Sequence, residues 1–151
     1  MTYRSIDLKV LHFLRKISEP MARVGIFIIF FWFGFLKVLG LSPASPLVAA
    51  LLHVTMPFIP APVFLAWFGA LECVIGLLFL IKGAERLAVV ALFLHMITTA
   101  MPLFLLPHIA WTGMMVPTLE GQYIIKNLAI IAAAIGIAAH LHPLHKGHHL
   151  C

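Results

Sequence analysis

Residues 62–82 read PVFLAWFGALECVIGLLFLIK, a stretch that is apolar except for Glu72 near its centre and Lys82 at its end. A helix needs roughly 20 consecutive apolar residues to cross about 30 Å of hydrocarbon, so this stretch predicts a transmembrane helix. Three further stretches have the same character and predict three further spans: residues 22–41, 87–107 and 121–140. The fold class predicted is therefore an all-α integral membrane four-helix bundle.

The composition of the whole chain agrees with lipid as its solvent. Of 151 residues, 63% are hydrophobic and only 10% are charged, whereas a soluble domain is about half apolar and a quarter charged. A soluble chain of this length cannot hide so much apolar surface. This excludes a soluble enzyme, a nucleic-acid-binding module and a disordered protein. The two cysteines, Cys73 and Cys151, form neither a CxxC pair nor a disulfide framework.

The basic residues indicate how the chain is oriented. Most of them fall at or before the first span, in the connector between the second and third spans, or in the C-terminal tail: Arg4, Lys9, Arg15, Lys16, Arg23, Lys82, Arg86 and Lys146. By the positive-inside rule, both termini are predicted to be cytoplasmic (N-in/C-in). The apolar run after Arg23 lacks an A-x-A-like cleavage site, so we expect it to stay as a span.

Two segments outside the spans predict further helices. Ile6, Val10 and Leu14 share one helical stripe before Glu19-Pro20 breaks the pattern, which predicts an amphipathic helix in residues 1–20 on the cytoplasmic membrane surface. Partner binding is the alternative role for this stripe. Between the first two spans, Leu47 to Met56 is apolar but too short to cross and predicts a re-entrant or interfacial helix.

The rest of the chain divides simply. Residues 21–140 form the predicted four-span membrane domain, and residues 141–151 form a histidine-rich cytoplasmic tail. The segment from Pro107 to Glu120 is predicted to be a loop that carries Trp111 at a membrane interface.

Charged residues within the spans are the strongest candidates for function, because a charge at bilayer depth is costly unless paired or hydrated. Lys37 and Lys126 are close enough to the non-cytoplasmic side for their long side chains to snorkel. Glu72 lies about 15 Å from either surface and must be protonated or paired. We expect both lysines to meet Glu72, leaving net positive charge unless Glu120 or an anionic ligand balances it. A structural ion pair and a ligand or proton site remain alternatives.

Other polar and small residues accompany these charges. Gly69 and Gly76 lie on the helix face of Glu72 and should let a neighbouring helix approach. His95 is interpreted as a hydrogen-bonded core histidine, with a proton relay or haem ligation as alternatives; a bis-histidine haem would need a second mid-span histidine. The outer His and Met residues lack tight metal-ligand spacing, so no metal site is predicted. The candidate ligand-binding residues are Lys37, Glu72, His95, Thr98, Thr99, Tyr123 and Lys126.

Several of these residues also lie in segments that resemble a known family. Residues 31–37, FWFGFLK, resemble the first-helix signature of the YkgB-like, or reactive chlorine resistance protein C, family of inner-membrane proteins. Glu72 with Gly76 resembles its E-x-x-x-G motif, Thr98-Thr99 its threonine pair, and residues 121–127, GQYIIKN, its last motif. The chain departs from that last motif at Gln122 and Asn127, where the family has Arg and Asp. The resemblance implies membership of the wider DoxX-like superfamily.

The resemblance also suggests a function. It implies a multi-pass protein of the bacterial inner membrane that takes part in survival of reactive chlorine and electrophile stress. Our leading hypothesis is a membrane partner of a redox enzyme that binds a quinone or another small ligand at the buried Lys/Glu site. A small oligomeric transporter or channel and a structural or assembly factor are the alternatives. The expected partners are the lipid bilayer, a redox enzyme and further copies of this chain, with no nucleic acid.

Overall fold

The computed structural model describes the backbone of residues 3–141 and the side chains of residues 6–141, and the chain is mostly helical over this range. Within it, four segments are long and apolar enough to cross a membrane, which confirms the four predicted spans as helices: Ile6–Val38, Ala61–Leu78, Glu85–Leu105 and Leu119–Ala138. The predicted histidine-rich tail lies outside the described residues from residue 142 onwards.

The elements follow one another along the chain with short connections. They are α1 (Tyr3–Val38), α2 (Ser45–Thr55), α3 (Ala61–Leu78), α4 (Glu85–Ala100), α5 (Pro102–Leu105), α6 (Pro107–Ala110), β1 (Trp111–Gly113), β2 (Val116–Pro117) and α7 (Leu119–Ala138). The third span consists of α4 and α5 together.

The predicted helix break at Glu19-Pro20 is wrong, because α1 continues through Pro20 without interruption. The side chains of Glu19 and Arg23 form an ion pair of 2.7 Å across the turn that contains the proline. With 36 residues, α1 is about 54 Å long. That exceeds the roughly 30 Å of a bilayer core, so part of α1 must extend beyond it. The stripe of Ile6, Val10 and Leu14 is about half exposed.

The end of α1 is set by a glycine. Gly40 has φ +71°, its N–H donates to the Lys37 carbonyl, and the Leu41 N–H donates to the Leu36 carbonyl. This pair of bonds is the Schellman motif, for which glycine is the favoured residue. It places Lys37 in the last turn of α1, where the negative end of the helix dipole favours a cation.

The segments between the spans contain regular secondary structure. The short apolar helix predicted between the first two spans is confirmed as α2, which begins with Pro46 in its first turn. The segment predicted as a loop contains α6 and an antiparallel hairpin of β1 and β2. Met115 adopts a positive φ in that hairpin, and the Trp111 indole donates to the Leu103 carbonyl at 2.9 Å. The Thr118 hydroxyl then caps α7 by accepting from the Gly121 N–H.

The spanning helices contact one another around an apolar core. α1 packs along α3 and also contacts α7, while α4 contacts both α3 and α7. The core combines residues from all four helices and from the turn after α3: Ile26, Phe30, Ile75, Phe79, Ala88, Leu92, Met96, Ala134 and Ile137.

α1 and α3 approach each other closely where Gly34 faces Gly69. A Cβ atom added to Gly34 would lie 2.6 Å from the Gly69 carbonyl oxygen and 2.9 Å from the Cys73 nitrogen. Gly76 meets the backbone of Phe27 and Phe31 in the same way. The prediction that Gly69 and Gly76 admit a neighbouring helix is confirmed. This contact brings the end of α1 against the middle of α3.

Candidate functional site

Lys37 and Glu72 form an ion pair in the interior of the protein. The Lys37 Nζ lies 2.8 Å from Glu72 Oε1 and 2.6 Å from Oε2, so the ammonium contacts both carboxylate oxygens. Each side chain is 9% exposed. The pair depends on the glycine contact, because Gly34 and Gly69 precede Lys37 and Glu72 by three residues each and lie on the same helix faces. Sequence spacing thus positions the two charges opposite one another.

His95 of α4 is the third member of this cluster. Its Nε2 lies 3.1 Å from Glu72 Oε1, and its side chain is 3% exposed. The prediction of a hydrogen-bonded core histidine is confirmed by this contact. We call Lys37, Glu72 and His95 the buried triad, since they come from three helices and meet at one carboxylate.

Two phenylalanine rings surround the imidazole of the triad. Phe68 stacks on His95 with 4.6 Å between ring centroids, and Phe30 meets it edge-on at 5.3 Å. Phe68 also lies 5.9 Å from the Lys37 ammonium. Neither ring was among the predicted site residues, although their spacing offered a signal: Phe68 is one helical turn before Glu72, and Phe30 two turns before Lys37.

The Nδ1 atom of His95 has no hydrogen-bond partner among the described residues, although it is buried. The nearby threonines do not serve it. Thr98 and Thr99 both donate their hydroxyl hydrogens to the His95 carbonyl oxygen, at 2.7 and 3.0 Å. These two predicted site residues therefore bond back to their own helix, and Thr98 is exposed.

The expected meeting of Lys126 with Glu72 is wrong. Lys126 is exposed on α7, and its ammonium lies 5.2 Å from the ring centroid of Tyr123, which is also exposed. The helix period explains the difference. Ile124 marks the buried face of α7, and a position two residues later is rotated by about 200° from it. Of the seven predicted site residues, the structure brings together Lys37, Glu72 and His95.

A second charged cluster joins α1 to the start of α4. Arg23 Nη2 lies 2.9 Å from Glu85 Oε1, and Glu85 Oε2 accepts from the Gly83 N–H at 2.7 Å. Since Arg23 also pairs with Glu19, three charged side chains meet here. From the sequence, Arg23 was only a marker of orientation, because its partner Glu85 lies far along the chain. This cluster fixes the connector between α3 and α4 against α1.

Within the part of the chain that the structure describes, no group of three or more His, Cys, Asp or Glu residues is placed to hold a metal ion. The triad itself contributes one carboxylate and one imidazole, and its lysine is a cation. Such a set of groups can exchange hydrogen bonds and protons.

The fold and this site define a class: a multi-pass membrane protein with a charged cluster enclosed among its spanning helices. The chain matches no family model, and comparisons with curated proteins and with solved structures also give no match. The function is therefore inferred from the triad.

Proposed function

We propose that this protein is a bacterial inner-membrane protein that binds a quinone, or another small neutral ligand, at the buried triad. In this proposal its four spanning helices form a bundle with both termini in the cytoplasm, and it serves as the membrane partner of a redox enzyme during electrophile stress. The observation that carries the proposal is the enclosed cluster of Lys37, Glu72 and His95, with contacts of 2.6 to 3.1 Å.

The burial of the triad is the first argument for a binding role. Removing an ion pair from water costs several kcal/mol per ion, and an apolar replacement of similar volume is often as stable or more so. The helix contact between α1 and α3 already has its own basis in the close approach of Gly34 and Gly69. An ionisable cluster at this depth is therefore best explained by a ligand or a proton.

The charge balance of the triad favours a neutral ligand. Two lysines at Glu72 would have left a net positive charge and favoured an anion. Instead, one ammonium, Lys37, faces one carboxylate, Glu72, while Lys126 is exposed on α7. The rings of Phe68 and Phe30 pack against His95 and make the surroundings of the triad apolar, which favours an uncharged ligand.

The physiological part of the proposal rests on the family resemblance. Lys37 and Glu72 belong to two of the four stretches of sequence that resemble the YkgB-like signatures, and both are members of the triad. The inner membrane, the redox partner and the response to reactive chlorine come from that resemblance alone. The loops after the first and third spans contain no Lys or Arg, whereas the N-terminal segment is basic, and both facts support the proposed orientation.

A structural lock is the second candidate function. It is favoured by one observation, namely that Glu72 already accepts hydrogen bonds from both Lys37 and His95. In that case the triad would serve only to hold α1, α3 and α4 in register.

Ligand binding by the purified protein in lipid nanodiscs tests the proposal. We expect a quinone with a short alkyl chain to bind saturably, and the double variant K37M/E72M to bind at least tenfold more weakly. K126M is the matched control, because Lys126 is exposed, and it should bind as the wild type does. Wild-type affinity in K37M/E72M would place the site elsewhere. If the wild type binds no quinone, the proposal is overturned. If K37M/E72M is then also as stable as the wild type, the triad is not needed as a structural lock either.

A further inference from the structure

The two ring nitrogens of His95 have different surroundings. Nε2 faces Glu72 Oε1 at 3.1 Å, whereas Nδ1 has no partner among the described residues. The carboxylate of Glu72 is already balanced by the Lys37 ammonium, and a further buried positive charge would be costly. This arrangement suits an imidazole whose proton is on Nε2, where it donates to Glu72. Nδ1 then presents a lone pair and acts as an acceptor.

This acceptor is unusual for its position. His95 is 5% exposed, and polar atoms at such depth nearly always have a hydrogen-bond partner. The hydroxyls nearest along the chain, those of Thr98 and Thr99, donate to the His95 carbonyl oxygen instead. The ring itself is held in place by Phe68 and Phe30. The hydroxyl group of an aromatic ligand could donate the hydrogen bond that Nδ1 lacks.

We infer that His95 Nδ1 accepts a hydrogen bond from the hydroxyl of the bound ligand, so that the site prefers a quinol or phenol to the corresponding quinone. This inference rests on the proposed function and specifies the ligand's chemical class. A quinone offers only carbonyl acceptors, so it would place an oxygen lone pair against the lone pair of Nδ1. A quinol donates to that atom and leaves the triad neutral.

A matched pair of ligands tests this preference. Titration of the full chain in nanodiscs, without oxygen, compares a quinol with the quinone that bears the same alkyl chain. One hydrogen bond should make the quinol bind about tenfold more tightly. A para-alkylphenol and its methyl ether repeat the comparison without redox chemistry, and the phenol should again bind more tightly.

Two variants test the roles of the two ring nitrogens of His95 separately. In H95Q, the side-chain amide can occupy the position of Nε2 and still donate to Glu72, but nothing takes the place of Nδ1, so the preference for the quinol should disappear. In H95N, the shorter amide lies near the position of Nδ1, and its oxygen can accept, so part of the preference should remain. Far-ultraviolet circular dichroism and gel filtration check that both variants are folded.

The outcomes distinguish this inference from the proposed function. Equal affinity of the wild type for quinol and quinone would overturn the inference and leave the site intact. Tighter binding of the quinone would also overturn it, because His95 would then be the donor. Binding of neither compound would overturn the inference together with the proposed function. Retention of the full quinol preference in H95Q would show that the ligand's hydroxyl meets another group.

Discussion

Glu72 is the residue whose environment in the folded protein is easiest to predict from the sequence. Its depth in an apolar stretch predicts a partner, because a short carboxylate side chain cannot reach water from the centre of a span. The structure supplies that partner from α1 and adds His95 from α4. The sequence predicted that both Lys37 and Lys126 would meet Glu72, since both side chains are long and both lie near the same predicted membrane surface. The rotation of α7 about its axis leaves Lys126 exposed instead.

The first prediction concerns the unpaired charge left when Glu72 is neutralised. E72Q preserves the side-chain shape but leaves the Lys37 ammonium without its counter-ion in the interior. Breaking a buried pair in this way should lower the free energy of unfolding by about 3 kcal/mol. Titration of the purified protein with a denaturing detergent, followed by circular dichroism, measures the change.

Two further variants make the comparison specific. K126M removes an exposed lysine, and we expect its unfolding free energy to stay within about 0.5 kcal/mol of the wild type. K37M/E72M removes both charges and should recover most of the stability lost in E72Q. A double variant as unstable as E72Q would contradict the assignment of that loss to an uncompensated charge.

At the scale of elements, the contact between α1 and α3 positions the triad. Gly34 and Gly69 let the two backbones touch, and each glycine lies one helical turn before a charged residue of the triad. The small-residue spacing in α3 was visible in the sequence. Which helix would use it was not, because any span with a small residue could have been the neighbour.

The second prediction therefore concerns glycine substitutions in α1. G34A would place a methyl group 2.6 Å from the Gly69 carbonyl oxygen, which forces the helices apart and should cost about 1–3 kcal/mol. G25A lies in the same helix, where an added Cβ meets nothing within 4 Å. It should be neutral or stabilising by up to about 1 kcal/mol, because alanine favours the helix.

Detergent denaturation of both variants checks this prediction, and ligand titration extends it. Because G34A separates Lys37 from Glu72, ligand binding should weaken in that variant and remain unchanged in G25A. Equal stability of the two variants would mean that the α1–α3 contact is looser than the glycine geometry indicates.

In the molecule as a whole, α1 forms ion pairs with neighbouring helices at two positions along its length. Arg23 pairs with Glu85 at the start of α4, and Lys37 pairs with Glu72 in α3. The two basic residues are separated by about 21 Å along the helix axis. Apolar packing fills the interval between them, including Ile26 and Phe30. α1 is thus held against its neighbours both along its length and at two charged clusters.

The third prediction tests the proposed orientation of the molecule. Single cysteines are introduced at Met114 in the hairpin, which is 96% exposed, and at Ile81 in the connector after α3, which is 54% exposed. The native Cys73 and Cys151 are replaced by serine. In intact cells, a maleimide that cannot cross the inner membrane should label M114C, whereas I81C should react only after permeabilisation. The reverse pattern would contradict cytoplasmic termini.

The sequence by itself determined that the chain has four segments long and apolar enough to span a membrane, where these segments lie, and that Glu72 needs a partner. These properties follow from composition, from runs of apolar residues and from the reach of one side chain, all of which are local. It failed at Pro20, because α1 continues through the proline without interruption. It also failed in the hairpin, where pairing between β1 and β2 builds structure in a predicted loop.

Only the tertiary structure decided which charges meet. Lys37, Glu72 and His95 belong to three helices, and the rotation of each helix about its axis results from packing over its whole length. The same packing leaves Lys126 exposed and His95 Nδ1 without a partner among the described residues. Apolar periodicity identifies a helix. The face that this helix turns toward a given neighbour depends on its packing against all the other helices.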